Sequence, residues 1–266
     1  MSKKIILLAG PTASGKSKLA IQLAKKLKGE IINADSMQIY KEFSILSSRP
    51  TKLETKKVKH HLYGTISVKK HFSAGDWLKE AKKKINICLK KKKTPIIVGG
   101  TGLYFNTITK GISKIPDIDI KTRFKVRSLY NRLGYQKFYE RLLELDPKVK
   151  NKILPTDSQR TQRAYEVKLK TNKSLFEWIA KTKSEFLDYN LKKVFVNIPR
   201  DELLQKIQKR TEFMFKENCI AEVKKFNRLR VNKSLSANKL IGVHEISQYL
   251  KGMIALDECR ELINIK

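Results

Sequence analysis

Acidic residues are scarce in this chain: among 266 residues, 25 Asp and Glu stand against 58 Lys and Arg, a formal net charge of +33. A field of that sign concentrates polyanions, which makes nucleic acid the leading macromolecular partner. The competing reading is that the surplus is mostly lysine, in runs such as Lys90 to Lys93, within a chain also rich in Ile and Asn. Codon bias and solvated helix faces would produce the same pattern.

Cysteine is also rare. Cys88, Cys219 and Cys259 are odd in number, far apart, without a C-x-x-C pair and without histidine at ligand spacing. That argues against a disulfide framework or a thiolate metal site and leaves buried core thiols as the expectation. No apolar run approaches membrane-spanning length, and the stretch Ile5 to Ala9 is too short for a signal peptide and runs directly into a loop. A cytoplasmic protein with no membrane partner is expected. Internal repeats and extended low-complexity linkers are missing too. The 41% of hydrophobic residues is enough to offset chain entropy, so the whole chain should fold. Its length suits one large α/β domain or a domain carrying an insertion.

What is present begins with Ile5 to Ala9, a short apolar run closed by glycine, as in a buried parallel strand. Lys16 to Lys28 follows with helical spacing through Leu19, Leu23, Ala24 and Leu27, and Gly29 is expected to cap it. Glu30 to Ala34 and Pro95 to Gly100 read as further strands, separated by a helix with the apolar face Leu78, Ala81, Ile85, Cys88 and Leu89. From about Ile115 apolar residues recur at helical spacing through Tyr130, Leu133, Phe138, Leu142 and Leu145, which predicts a helical insertion over 115–192. Lys193 to Ile198 restores a strand, and a helical pattern follows Pro199 through Leu203, Ile207, Met214, Val223 and Ile246. The fold class is therefore α/β, a mostly parallel sheet with helices on both faces, with ligands at the carboxyl ends of its strands.

Gly10-Pro11-Thr12-Ala13-Ser14-Gly15-Lys16-Ser17 matches G-x-x-x-x-G-K-S between a strand and a helix. Backbone N–H groups of such a P-loop wrap phosphate oxygens, Lys16 reaches the phosphates, and the Ser17 hydroxyl can ligate Mg²⁺. Taken alone, the motif suggests a kinase acting on a nucleotide or other small molecule. Asp35, just beyond Ile31-Ile32, then has two readings. It is a Walker-B acid on Mg²⁺ or a general base aimed at an acceptor, and spacing does not separate them. Asp35-Ser36-Met37-Gln38-Ile39-Tyr40 groups polar side chains that can read a base edge, or simply N-caps a helix. Gly99-Gly100-Thr101-Gly102 is a second glycine-rich strand-to-helix turn on the same sheet edge, where Thr101 either faces the cleft or caps the next helix.

Taken in order, Gly-Pro-Thr-Ala-x-Gly-Lys-Ser, Asp-Ser-Met-Gln-Ile-Tyr, His60-His61-Leu62, Gly-Gly-Thr-Gly-Leu-Tyr, Asp157-Ser158-Gln159-Arg160-Thr161-Gln162-Arg163-Ala164-Tyr165-Glu166 and Ile241-Gly242-Val243-His244-Glu245 resemble the tRNA dimethylallyltransferases. The resemblance implies transfer of a five-carbon isoprenoid from dimethylallyl diphosphate to N6 of adenine 37 in the anticodon stem-loop of tRNA, by a monomer. It places the diphosphate on residues 10–17 and Arg210, with Mg²⁺ at Ser17. Asp35 becomes the base, Thr101 orients Asp35 or the adenine amine, Ser36 and Gln38 contact the flipped base and its surroundings, and Asp35, Ser36, Met37, Gln38 and Thr101 together belong to the tRNA-binding set. Arg123, Gln159, Arg160, Thr161, Gln162 and Arg163 are implied to contact tRNA; the rival reading for the 157–166 helix is a surface salt bridge through Glu166. His60 and His61 are expected to be structural. Asn218 stands where the family usually has glycine, and family members carry a further basic and aromatic segment beyond the position of Lys266.

Overall fold

The computed structural model describes residues 3–266. The chain divides into two compact units, one built from residues up to Ile108 together with Asp188–Lys266, the other from Thr109–Leu187.

The first unit holds a parallel sheet of five strands among the described residues, in the order β3-β2-β4-β1-β5. The strands are β1 (Lys4–Ala9), β2 (Gly29–Asn33), β3 (His60–His61), β4 (Thr94–Gly99) and β5 (Asn190–Phe195). Helices α1 (Lys16–Lys26), α2 (Lys52–Lys57), α3 (Ala74–Lys90) and α4 (Gly102–Thr109) lie between strands or follow them. After β5 come α8 (Arg200–Lys216), α9 (Cys219–Arg228), α10 (Val243–Tyr249) and α11 (Leu256–Ile265). Continuous apolar runs make the central strands. Ile5, Leu8, Ile32, Ile96 and Ile97 are fully buried, each worth about 1.5–3 kcal/mol relative to exposure.

Helix α3 buries Leu78, Ala81, Ile85 and Cys88 as its spacing predicts, and also Trp77, whose indole N–H donates to Asn33 O at 2.8 Å. A Ser73–Asp76 capping box starts that helix. Two expectations shift. Gly29 does not cap α1, because Lys28 takes the left-handed conformation (φ 48°) and Gly29 already opens β2. The last strand spans 190–195 rather than 193–198, since its register pairs Asn190 with Lys4 and Phe195 with Ala9. It is also an edge strand with exposed Val194 and Phe195, so apolar content there does not mean burial. Strand β3 was too short to show a pattern.

The second unit contains α5 (Ile120–Leu145), α6 (Ser158–Thr171) and α7 (Leu175–Ala180). Gly134, at φ 73° and ψ 172°, breaks α5 into two helical pieces. Tyr139, Leu142, Val149, Ile153 and Ala164 form its core. It begins and ends earlier than the 115–192 span, because the chain has rejoined the sheet by Asn190. No helix among the described residues is long and apolar enough to cross a membrane.

All three cysteines are free and buried. Cys88 Sγ lies 3.5 Å from Glu30 Oε2, which also bonds His61 Nε2 at 2.6 Å, so β2, β3 and α3 are pinned by one carboxylate. Burial opposes ionisation of Glu30, but hydrogen bonds from His61 and Cys88 outweigh it and hold the carboxyl below its ordinary range. Burial and the Glu30 charge push the Cys88 thiol up to about 12.

A carboxyl depressed in the folded state adds stability that is present above its unfolded pKa and disappears as pH falls through the folded value. Unfolding free energy should therefore drop as pH is lowered from about 4.3. Glu30→Gln should lose about 1–3 kcal/mol at neutral pH and flatten that acid slope, as measured by urea denaturation across pH. Gly99→Ala would place a methyl 2.1 Å from Ala34 C and O, and should cost at least about 3 kcal/mol in the same assay.

Candidate active site

The loop between β1 and α1 is shaped by its backbone. Ala13 (φ 60°) and Gly15 (φ 84°) adopt left-handed conformations, the backbone form from which anion-binding nests are built. Lys16 Nζ donates to Pro11 O at 2.8 Å, a bond within the loop's own span. Ser14 Oγ is buried without a partner.

Beyond β2, Asn33 Oδ1 accepts from Asp35 N at 2.9 Å and Asp35 Oδ1 accepts from Met37 N at 2.9 Å. This is a local Asx turn rather than a helix cap, and no helix begins there. It leaves Asp35 Oδ2 as the oxygen not used by the turn. The β4 end crosses close behind: Ala34 N donates to Val98 O at 2.7 Å and Thr101 N to Ala34 O at 3.2 Å. Thr101 Oγ1 accepts from Ser36 N at 2.9 Å and lies 3.3 Å from Ser36 Oγ. Thr101 therefore fixes the turn through Ser36 and has no bond to Asp35 itself. The Gln38 amide N–H₂ is committed to Ser47 O and Ser48 O, each at 2.9 Å.

These ends enclose a cavity of about 370 Å³ whose wall includes Gly15, Lys16, Ser17, Asp35, Gln38 and Arg210. A second cavity of about 360 Å³ shares Thr12, Asp35 and Arg210 with it and continues over Met37, Leu46, Ile207, Met214 and Ile263. One polar and one largely apolar compartment thus meet at Asp35. Burial lowers the Lys16 pKa below the usual lysine range, with Asp35 opposing the shift and Arg210 adding to it. Burial lowers Arg210 as well, again against the pull of Asp35.

Sequence reading missed Tyr63, Ser48 and Lys206 on the first cavity's wall. Lys206 was findable, as it precedes Arg210 by one helical turn on α8. Tyr63 follows the His60-His61-Leu62 segment directly. Its phenol is pushed far above the ordinary range by burial and then by Asp35 and Glu54, so it remains a donor. His60 packs edge-on against that ring at 5.5 Å and bonds Val58 O through Nδ1 at 2.8 Å, while His61 belongs to the Glu30 cluster.

The RNA-contact candidates lie in the second unit, on α5 and α6. Gln159 and Arg160 are exposed, Gln162 and Arg163 half-buried. Arg160 pairs with Asp157 at 3.4 Å and Arg163 with Glu166 at 3.5 Å, so the intrahelical ion pair considered for Glu166 exists. Thr161 departs from expectation: it is fully buried, and its hydroxyl donates to Asp157 O at 2.9 Å, which leaves it no surface for RNA. Arg123 Nε is buried without a partner. Asn218 adopts the left-handed conformation (φ 67°) and its side chain caps α9 by accepting from Ala221 N at 3.2 Å, doing what a glycine would and adding a bond.

Comparison with known proteins accords with this arrangement. The IPP transferase family profile matches residues 38–266. A tRNA dimethylallyltransferase of Pelagibacter ubique is 53% identical over 263 residues, covering 99% of this chain and 84% of that protein. One from Rickettsia felis is 42% identical over 265 residues, covering 99% and 86%. The crystal structure of the full-length tRNA isopentenylpyrophosphate transferase of Bacillus halodurans superposes with a TM-score of 0.68 at 31% identity, over 99% of this chain and 82% of that one. A eukaryotic dimethylallyltransferase captured acting on tRNA gives a TM-score of 0.85 at 26% identity, over 99% and 67%. With a parallel sheet that carries its P-loop and Asp35 on one edge, and with relatives matched along nearly its full length, this chain belongs to the IPP transferase family.

Proposed function

We propose that this chain transfers a dimethylallyl group from dimethylallyl diphosphate to N6 of adenine 37 in tRNA and releases diphosphate. The observation that carries this reading is the placement of Asp35 where a cationic, P-loop cavity meets a largely apolar one. A phosphoryl transfer calls for an apolar compartment beside its acid only when its acceptor is itself apolar. A prenyl transfer needs both.

In this reading the P-loop amides, Lys16 and Arg210 hold the diphosphate, and their charge favours the leaving group as it gains negative charge. The C1–O bond breaks with its electron pair passing to the diphosphate oxygen, and a bond forms from adenine N6 to C1. The exocyclic amine is a weak nucleophile because its lone pair is delocalised, and Asp35 Oδ2 takes the proton that N6 loses. Thr101 keeps Asp35 in place indirectly, through Ser36. Ser17 presents a hard oxygen donor on the P-loop wall of the cavity, which suits Mg²⁺, and the ion would help neutralise the diphosphate when bound. Arg123, Arg160, Gln159, Gln162 and Arg163 are proposed to contact the RNA backbone, and the chain is proposed to act as a monomer.

Purified protein incubated with dimethylallyl diphosphate, unmodified tRNA and Mg²⁺ should yield N6-(dimethylallyl)adenosine in the digested tRNA; ATP turnover without that product would favour a kinase instead. Asp35→Asn should reduce transfer by about 10²–10⁴-fold while diphosphate binding is retained, and full activity in that variant would remove Asp35 as the base. Arg210→Ala should weaken pyrophosphate binding by roughly tenfold to a hundredfold in calorimetric titration, the loss of a charge-assisted hydrogen bond.

A further inference from the structure

The turn over residues 43–49 is polarised. Its leading N–H groups converge on one carboxylate: Glu222 Oε1 accepts from Ser44 N at 2.5 Å, Ile45 N at 3.0 Å and Ser44 Oγ at 3.0 Å, and Oε2 accepts from Leu46 N at 2.8 Å. Its trailing carbonyls, Ser47 O and Ser48 O, both accept from Gln38 Nε2. The turn closes on itself through Ser48 N to Ile45 O at 2.9 Å and Arg49 N to Ser44 O at 3.0 Å, so its two ends are mechanically one piece. An anion at the N–H end and donors at the C=O end complement the dipole of such a turn.

The consequence falls on Gln38. Two carbonyls at its Nε2 fix the amide orientation, because a side-chain oxygen there would face two other oxygens. Oε1 is then the acceptor left to the cavity that Gln38 shares with Asp35 and Lys16. An exocyclic adenine amine offers two N–H bonds. One must be given up to the base, and the other suits a fixed acceptor.

We propose that Glu222 is a positioning residue for substrate recognition: by clamping the 44–46 amides it holds the 47–48 carbonyls that aim Gln38 Oε1 at the adenine N6 amine. This rests on adenine being the acceptor, as proposed above. Glu222 reaches the turn from α9, whose Phe226 also packs on Phe43 of the turn with ring centroids 4.8 Å apart. The apolar contact survives in Glu222→Gln, so the fold is retained while the charge and half of the clamp's acceptors are lost.

The test compares binding of two anticodon stem-loops, one with adenine at the target position and one with purine lacking the 6-amino group. The parent protein should prefer adenine by about tenfold, the value of one well-made hydrogen bond. Glu222→Gln and Gln38→Ala should each lower that preference to threefold or less, and the double variant should lose no more than either single one. Glu222→Asp, which keeps the charge, should recover part of it. A Glu222→Gln variant that binds both RNAs more weakly by the same factor has lost only stability, and that result overturns the proposal, as does additivity in the double variant. A parent that transfers the prenyl group without preferring adenine in binding also overturns it and leaves the transfer reading standing. A parent that prefers adenine through Glu222 and Gln38 but forms no product supports it and counts against the transfer reading.

Discussion

The close passage of the β4 end behind the β2 end is the constraint on which the site depends. Because β4 lies between β2 and β1, the chain leaving Gly99 must cross within bonding distance of Ala34. Any side chain at Gly99 would occupy the space of the Ala34 carbonyl, and the three bonds that bridge Val98, Ala34, Ser36 and Thr101 all require that approach. The position of Asp35 relative to the P-loop is therefore a property of sheet topology. Side-chain flexibility contributes little to it, since the Asx turn at Asn33–Met37 spends one carboxylate oxygen on its own backbone.

Electrostatics then assigns opposite tasks to neighbouring groups. Lys16 and Arg210 are destabilised as cations by burial and restored in part by Asp35. Such a pair of cations on one cavity wall gains by receiving an anion. The apolar walls of the adjoining cavity keep the field of those charges from being screened by water. The same principle, reversed, explains the Glu30 cluster: there the carboxylate already has its donors, and the result is a rigid joint between strands.

Legibility in the sequence followed periodicity and local motif. The P-loop, the central strands and the face of α3 could be read because each is fixed by residues adjacent in sequence or at helical spacing. The 190–195 strand was shifted because its register is set by pairing with β1, which a linear pattern does not record. Gly29 was misassigned because Lys28 accepts a left-handed backbone that glycine would ordinarily take. Within the site, Asp35, Lys16 and Thr101 stood out by motif, whereas Tyr63 and Glu222 act through contacts with residues remote in sequence. Thr161 shows the converse, since a motif names it and burial removes it from the surface.

Asn218 joins two elements that serve different parts of the site. Its left-handed backbone ends the run of α8, which carries Lys206 and Arg210, and its side chain starts α9, which carries Glu222. This corner thus joins the helix that lines the P-loop cavity to the helix that braces the 43–49 turn. A residue at this corner that could not hold a left-handed backbone would disturb both helices at once, which confines the position to glycine or to a side chain, such as asparagine, that tolerates that conformation.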